Sequence, residues 1–347
     1  MKEDEFHLQT SIQYISAVFS ISINLFLMAL IATKSPKQLG AYKYLMMSIS
    51  IHEIGYSIID VIVSPLFHSL GSTYMIIVIT KNRTISPSVL SVLNGVYCGL
   101  FGFSLAIFAL HFVYRYLVAS GNKALLSTFN SWKFFLWLGG PMFYGVTWGL
   151  ASHFLLASSE EATRYIRNSV LEVFDLEVGE YVYIGSYFYE KTGKNSYVIH
   201  LAPLIGIVML QGYIGFSLVI VIVFGIKCYN RINALVARTT TSSSYQLLQS
   251  QLFNALVTQA TIPIILMHFP LGILFIFAFL EWNIGSLSAI VSITIALYPA
   301  IDPLPTIFMV KHYRKGVFDW CRWMRNKATR KPHEVIVKSR TQSTGVS

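Results

Sequence analysis

Asp302 is a carboxylic acid within an apolar segment that also holds three prolines, Pro299, Pro303 and Pro305. Each proline removes a backbone donor, so the carbonyl that loses its partner must be satisfied by a neighbouring helix or by water. An ionisable side chain at membrane depth is costly enough to indicate a functional site. We therefore expect Asp302 to face the interior of a helix bundle. A structural ion or water is its first expected partner, and a substrate is the alternative.

His52, Glu53 and Asp60 are the polar exceptions in another apolar stretch. Glu53 and Asp60 are seven residues apart, which places both carboxylates on one face of a helix. The simplest interpretation is that they hydrogen-bond to neighbouring helices and bound water. A proton relay, a metal site and an ion pocket shared with Asp302 are the alternatives. Because no Lys or Arg lies within an apolar stretch of membrane length, the pattern favours a structural switch over transport.

Sequence motifs of enzymes are missing. There is no Gly-rich phosphate loop, no nucleophile elbow and no closely spaced metal motif. His153, His200 and His268 fall in separate segments without ligand spacing, and lone histidines of this kind are more often satisfied core residues than ligands. We predict no enzymatic activity, no cofactor and no metal.

The chain that must position these groups is 54% hydrophobic and only 12% charged, about half the charge of a soluble domain. Seven apolar runs have the length of about 20 residues that crosses a hydrocarbon core. They are 11–32, 44–66, 89–113, 134–157, 198–226, 252–280 and 284–310. The sequence thus predicts an all-α integral membrane protein, a seven-transmembrane helix bundle in a single domain over 1–326.

Lys and Arg are distributed unequally among the connections between these runs. With the N-terminus outside, 19 of the 26 basic residues lie on the cytoplasmic side. Positively charged loops are retained in the cytoplasm, so the N-terminus is predicted to be extracellular and the C-terminus cytoplasmic. The net charge of +10 then suits anionic lipid and acidic partners rather than nucleic acid. The first ten residues lack the basic region of a signal peptide, so we expect the first run to remain as an anchor.

Two of the predicted outer segments have features of β-structure. The 158–197 segment is acidic and rich in Tyr, and we expect it to cover the outer face. The run Thr73–Thr80 is short and β-branched, which predicts an extracellular strand that pairs with Tyr181–Gly185. Asn82 begins an N-glycosylation sequon in the same outer region.

Beyond the last run, apolar residues recur at helical spacing with Lys and Arg on the other faces. This pattern predicts an amphipathic helix over 311–326 that lies along the inner leaflet. Cys321 on its apolar side is a candidate for palmitoylation, with a partly buried thiol as the alternative. Residues 327–347 are predicted to form a disordered cytoplasmic tail. The three cysteines of the chain are too scattered to indicate a disulfide framework.

Arg115 lies at the inner end of the third run, between Tyr114 and Tyr116. Taken alone, this arrangement fits an Arg that snorkels to the interface between flanking aromatic rings. Four blocks of sequence suggest a more specific interpretation. They are HFVYRYL at 111–117, QATIPIILMHFP at 259–270, LYPAIDPLPTIFMVKHYRKGVF at 297–318 and SIHEIGYSIIDVIVSP at 50–65.

Together these blocks resemble the signature blocks of the nematode serpentine chemoreceptors of the Str superfamily, over nearly the whole chain. The resemblance implies an olfactory-type G-protein-coupled receptor in the plasma membrane or ciliary membrane of a chemosensory neuron. Its partners would be a small-molecule odorant and a heterotrimeric G protein. Tyr114-Arg115-Tyr116 is similar to the triplet that closes the third helix, with Tyr114 in place of the acid. Asp302-Pro303 resembles the start of the seventh-helix switch, with Thr306 at the position of an expected aromatic.

We expect a small chemical to bind in the outer half of the bundle, beneath the 158–197 segment, and to bias the inner ends of several spans. Pro263 and Pro270 offer a bending point in the sixth span. Five residues are candidates for the pocket, although each could equally hold helices together. They are Asn94, Tyr97, Cys98, Gln211 and His268. The alternative function is a seven-span ligand-gated channel or transporter.

Overall fold

The computed structural model describes residues 3–192, 196–237, 243–282 and 287–329. The predicted tail therefore lies outside the described residues, except for 327–329, which continue the last helix. The described chain is mostly helical. Its helices are α1 (Glu3–Lys34), α2 (Tyr42–Val63), α3 (Pro87–Ser120), α4 (Lys123–Thr128), α5 (Phe134–Leu155), α6 (Glu160–Phe174), α7 (Leu201–Val236), α8 (Ser243–Pro263), α9 (Phe269–Phe279), α10 (Leu287–Ile301), α11 (Pro303–Met309) and α12 (Lys311–Thr329).

Over the described residues, each predicted span overlaps one helix or two consecutive helices. Among the described residues, six helical stretches are long and apolar enough to cross a membrane. They comprise α1, α2, α3, α7, α8 with α9, and α10 with α11. The predicted span 134–157 corresponds to α5, in which Gly, Pro and Trp dilute the apolar residues. A turn of π-helix, Ile264–His268, joins α8 to α9.

Several helix ends differ from the predicted spans for identifiable reasons. α2 stops at Val63 rather than at residue 66, because Ser64 adopts a left-handed conformation and Pro65 cannot continue the helix. α8 begins at Ser243, nine residues before the apolar run, since its first turns are polar. The last span is interrupted at Asp302, between α10 and α11.

Extended segments cover one end of the bundle, which we call the sheet end. β1 (Leu66–Leu70), β2 (Thr73–Ile79) and β3 (Tyr181–Tyr187) form an antiparallel sheet in that order. The predicted pairing of the two outer segments is confirmed, with Ile79 opposite Tyr181 and Met75 opposite Gly185. A hairpin of β4 (Tyr189–Lys191) and β5 (Tyr197–Ile199) follows. The opposite end, which carries α12, we call the tail end.

α3 is the central helix, and it packs against α2, α5, α7 and α8. Its contact with α5 depends on glycines that let the two backbones approach. A Cβ added to Gly99 would lie 2.7 Å from the carbonyl oxygen of Gly145, and one added to Gly149 would lie 2.8 Å from that of Gly95. Small residues at such crossings are typical of helix packing in membranes.

Candidate functional site

Asp302 lies between α10 and α11 and is fully buried in the bundle. Pro303 has no N–H to donate to the carbonyl of Pro299, four residues earlier. The amide nitrogen of Asn24 in α1 donates to that carbonyl instead, at 3.1 Å. The expectation that a neighbouring helix satisfies a carbonyl freed by proline is therefore confirmed, and Asn24 ties α1 to the break in the last span.

Gln259 connects α8 to the same break. Its Nε2 donates to the Oδ2 and to the backbone carbonyl of Asp302, both at 3.0 Å. Its Oε1 accepts from Thr306 Oγ1 at 2.8 Å, so the threonine that replaces an expected aromatic is part of this network. Sequence reasoning assigned Gln259 no role, although a glutamine four residues before Pro263 in an apolar segment was a signal that could have found it.

Glu53 of α2 is fully buried and faces Asp302, Asn24 and Tyr298. Among the described residues, neither of its carboxylate oxygens completes a hydrogen bond of good geometry, although all three of these side chains lie close to it. A cavity of roughly 10 Å³ lies beside Glu53 and Gln259, about the space of one water. Two carboxyl groups facing one another in a bundle require a shared proton, a cation or water between them. Of the residues in the ion-pocket alternative, Glu53 therefore does lie beside Asp302, and the presence of an ion between them stays a prediction.

Asp60 belongs to a different part of the bundle. It is 3% exposed and lies beside Tyr56 and Tyr97, toward the sheet end. Although Glu53 and Asp60 both point inward from one face of α2, two helical turns separate them along the helix axis. Asp60 therefore does not reach Asp302.

Arg115 is buried near the tail end of α3, with only 2% of its surface exposed. Its Nη2 donates to the carbonyl of Gln249 in α8 at 2.8 Å, and its guanidinium carbon lies 5.1 Å from the ring centre of Tyr42. Among the described residues, no carboxylate lies within 4 Å of Arg115. Snorkelling to the interface is therefore the wrong interpretation, since Arg115 instead links α3, α2 and α8.

The neighbours of Arg115 in the triplet hold this arrangement in place. Tyr114 is 4% exposed and stacks on Tyr42, with ring centres 5.3 Å apart and planes at 19°. Tyr116 packs edge-to-face on Phe224 of α7 at 5.5 Å. With Tyr114 in place of an acid, the positive charge of Arg115 is met by an aromatic ring and a backbone carbonyl.

A second site lies at the sheet end, where a small cavity of roughly 30 Å³ sits beneath the sheet. We call it the capped cavity. Its lining is almost entirely apolar and aromatic. It consists of Phe67, Tyr74, Ile76, Tyr97, Cys98, Phe101, Trp148, Ser152, Leu156, Ile184, Leu210, Leu271 and Phe275.

Tyr97 and Cys98, two of the five pocket candidates, line the capped cavity, and their contact with a ligand stays a prediction. His268 lies one layer away, with its ring 4.6 Å from that of Phe101. Asn94 is fully buried but anchors the cap, because its Nδ2 donates to the carbonyl of Ile76 at 3.1 Å. Gln211 was the wrong choice, since its side chain is exposed on the outside of α7. An apolar helix buries only one face, and the sequence alone did not show which face of α7 that is.

The sheet is fastened to the bundle without a disulfide, and all three cysteines, Cys98, Cys228 and Cys321, are free. The N–H of Gly185 donates to the carbonyl of Leu156 at 2.9 Å. Farther out, Lys191 pairs with Glu281. These contacts tie β3 and β4 to the sheet ends of α5 and α9.

The two predicted modification sites lie at opposite ends of the bundle. Asn82 is exposed in a turn that follows β2. Cys321 is exposed on α12, so the alternative of a partly buried thiol is wrong.

The architecture is that of a seven-helix receptor. Squid rhodopsin has a similar fold, with a TM-score of 0.55 at 9% identity over 96% of this chain and 89% of the rhodopsin chain. The family model described as "Serpentine type 7TM GPCR chemoreceptor Str" matches residues 9–318. The chain therefore belongs to this family of seven-transmembrane G-protein-coupled chemoreceptors, and it is a multi-pass membrane protein.

Named relatives agree with the family. The chain is 39% identical to the G-protein coupled receptor str-217 of Caenorhabditis elegans, over 90% of this chain and 89% of the relative. It is 28% identical to the serpentine receptor class r-10 of Caenorhabditis elegans, over 90% of both chains. It is 30% identical to the receptor of that name from Caenorhabditis briggsae, over 85% of both chains. The comparisons do not favour the channel or transporter alternative.

Proposed function

We propose that this chemoreceptor binds its stimulus, a small and largely apolar chemical, at the capped cavity, which must widen from its roughly 30 Å³ to admit it. One observation carries the proposal. Phe101, which lines the cavity, packs against His268, the last residue of the π-helical turn in the sixth span. A ligand that displaces Phe101 therefore acts directly on the segment where that span is least regular. Turns of π-helix inside α-helices are frequent at functional sites.

The signal would travel along the sixth span to the tail end. Pro263 directly precedes the π-helical turn and weakens the helix there. On the tail side of this point, α8 holds both Gln259, which binds Asp302, and Gln249, whose carbonyl holds Arg115. Ten residues of helix separate the two glutamines, roughly 15 Å. Bending or rotation of α8 would thus loosen both contacts together.

We infer that the released Arg115 and the tail ends of α3, α7 and α8 receive a segment of a heterotrimeric G protein. Asp302 and Pro303, with Glu53 opposite, form the part of the switch that lets the last span rearrange. The receptor would thus have two states, one with the contacts of Gln259 and Gln249 in place and one in which they are replaced by others. The ligand would favour the second state. In this scheme Asp60 and Asn94 hold the sheet end of the bundle and its cap together.

Expression with a panel of odorants, while calcium or cyclic nucleotide is recorded, tests the coupling. In a receptor that responds, Arg115→Ala should abolish ligand-evoked signalling while leaving surface expression unchanged. Arg322→Ala on the exposed face of α12 is the matched control and should signal normally. Full ligand-evoked signalling by Arg115→Ala would show that the coupling role is wrong.

We further propose that the receptor resides in the plasma membrane, including that of a sensory cilium, with its sheet end outside. The unequal distribution of Lys and Arg supports this orientation, as does the exposure of Asn82 at the sheet end. At the tail end, the basic α12 would lie against the anionic inner leaflet, where Cys321 is accessible to acylation. The single domain over 1–326 remains part of this proposal.

A further inference from the structure

Gln211 is a polar residue on the lipid side of the fifth span. Its side chain is exposed on α7 and makes no hydrogen bond with any described residue. It lies 11 residues after His200 and 16 before Lys227, roughly 16 and 24 Å along the helix, with no charged residue in between. The hydrocarbon core is about 30 Å thick, so the amide of Gln211 is too deep to reach water. An amide that faces hydrocarbon without a partner is costly.

Two glycines follow this amide on the outside of α7. Gly212 and Gly215 are exposed, and a Cβ added to either would meet nothing within 4 Å. The glycines of α3 and α5, by contrast, let those two helices touch, as at Gly99 and Gly145. Because glycine weakens a helix interior relative to alanine, Gly212 and Gly215 destabilise α7 without making a contact within one receptor. Exposed small residues of this kind are typical of surfaces where another membrane helix approaches closely.

The amide and one of the glycines belong to a continuous stripe along α7. Gln211 and Gly215 are four residues apart, which places them on one face of the helix. Apolar side chains extend this face in both directions, and all of them are exposed. We call the stripe the Gln211 face. It consists of Val208, Gln211, Gly215, Val219 and Ile222.

The chemistry of this face and the orientation of the chain restrict what can cover it. Lipid tails offer no hydrogen bond to an amide. The amide of glutamine both donates and accepts, so two such groups can satisfy each other. All copies of the receptor insert in the same direction, and a twofold axis along the membrane normal therefore places residue 211 of two copies at the same depth. Each Gln211 would then meet the Gln211 of the other copy, one turn from Gly215, where the backbones can approach.

We propose that the Gln211 face joins two copies of this receptor, with α7 packed against α7 and reciprocal hydrogen bonds between the two Gln211 amides. The face lies on the outside of the bundle, and none of its residues lines the capped cavity. The proposal therefore does not depend on where the odorant binds. It gives Gln211 the role of holding helices together, between two receptors rather than within one.

Energy transfer between full-length receptors with donor or acceptor fluorophores at the C-terminus, recorded in cell membranes over a range of receptor densities, tests the proposal. Transfer in the wild type should exceed that of random collisions. Gln211→Leu removes the interfacial hydrogen bonds and should raise the half-maximal density about 3- to 30-fold. Gly215→Leu meets no atom of its own chain at the first carbon but keeps the two backbones apart, and should raise that density at least tenfold. Gly140→Leu is the matched control and should behave like the wild type, because Gly140 is exposed on α5 and equally free of neighbours.

Cross-linking provides a second measurement if a variant fails to reach the cell surface. In a Cys321→Ser background, oxidation should link two receptors through Val208→Cys but not through Phe216→Cys, which is exposed on another side of α7. Receptors that stay monomeric at every density would overturn the proposal. So would an unchanged half-maximal density in either Gln211→Leu or Gly215→Leu. Cross-linking of Val208→Cys to a different membrane protein, in place of a second receptor, would overturn it too.

Discussion

The contact between Arg115 and Tyr42 allows a specific prediction about signalling in the absence of ligand. The guanidinium lies 5.1 Å from the ring centre of Tyr42 and donates to the carbonyl of Gln249 on α8. If this arrangement holds the resting state, removal of the ring should favour release of Arg115. We therefore expect Tyr42→Leu to raise signalling in the absence of ligand.

The magnitude follows from the burial of the pair. A desolvated cation–π contact contributes about 1–2 kcal/mol, and both Arg115 and Tyr42 are almost fully buried, at 2% and 4% exposed. A loss of about 1 kcal/mol changes a two-state equilibrium roughly fivefold. Basal G-protein activation should rise by about that factor, provided that the active state is a minor population in the resting receptor.

Nucleotide exchange on a co-expressed G protein, normalised to receptor at the cell surface, is the suitable assay. Tyr42→Phe keeps the ring and should change basal signalling little. Tyr44→Leu is the matched control on the same helix, because Tyr44 is 51% exposed and touches Lys43 and Phe134 rather than Arg115. Equal basal signalling by Tyr42→Leu and Tyr44→Leu would refute the reasoning.

Three further predictions concern the sheet end. Ser152→Leu should fill the capped cavity and raise the half-maximal odorant concentration about tenfold or more. Thr147→Leu, on the same helix but outside the cavity lining, is the control and should leave that concentration unchanged. An unchanged dose–response curve for Ser152→Leu would place the ligand elsewhere. Burial lowers the pKa of His68 from 6.5 to about 4. The neutral imidazole therefore contributes fully to the stability of the sheet above pH 6.5, and this contribution is lost as the pH falls toward 4. About 2 kcal/mol is lost by pH 5. The protection factors of β1 amides, which are corrected for the slower intrinsic exchange at lower pH, should therefore fall by up to about 30-fold between pH 7 and 5 in the wild type but not in His68→Gln. An equal fall in both would contradict this. Asn82→Gln should remove a glycan-dependent mobility shift if the sheet end is extracellular, and an unmodified Asn82 together with glycosylation engineered into 227–251 would reverse the orientation.

The lengths of apolar runs and the β-propensity of two segments made much of the fold predictable. Seven apolar runs indicated seven helices, because the length needed to cross a membrane is fixed by the bilayer. The pairing of Thr73–Thr80 with Tyr181–Gly185 could be predicted because β-branched and aromatic residues favour strands. The ends of the helices were less predictable. The first turns of α8, for example, are polar and therefore give no hydropathy signal.

The site could be predicted only in part, because burial along an apolar helix is decided by its neighbours. Asp302 was found since ionisable groups are rare in such segments, whereas Arg115 was singled out by the resemblance of its triplet to that of the receptor family. Gln211 was placed in a pocket because it is polar, yet it lies outside the bundle. Tyr42 and Asn24 were missed since a tyrosine or an amide in an apolar helix gives no sign of its partner. Gln259 was missed although its position four residues before Pro263 was a signal.

The sequence by itself determined that the chain spans a membrane and that Asp302 and Glu53 are not ordinary lipid-facing residues, because local composition sets the cost of placing each group in a bilayer. Only the tertiary structure decided which of them meet. It brought Glu53 to Asp302, kept Asp60 apart from both, and gave Arg115 a ring and a carbonyl in place of an acid. Such pairings depend on helix rotation and crossing, which many residues set jointly.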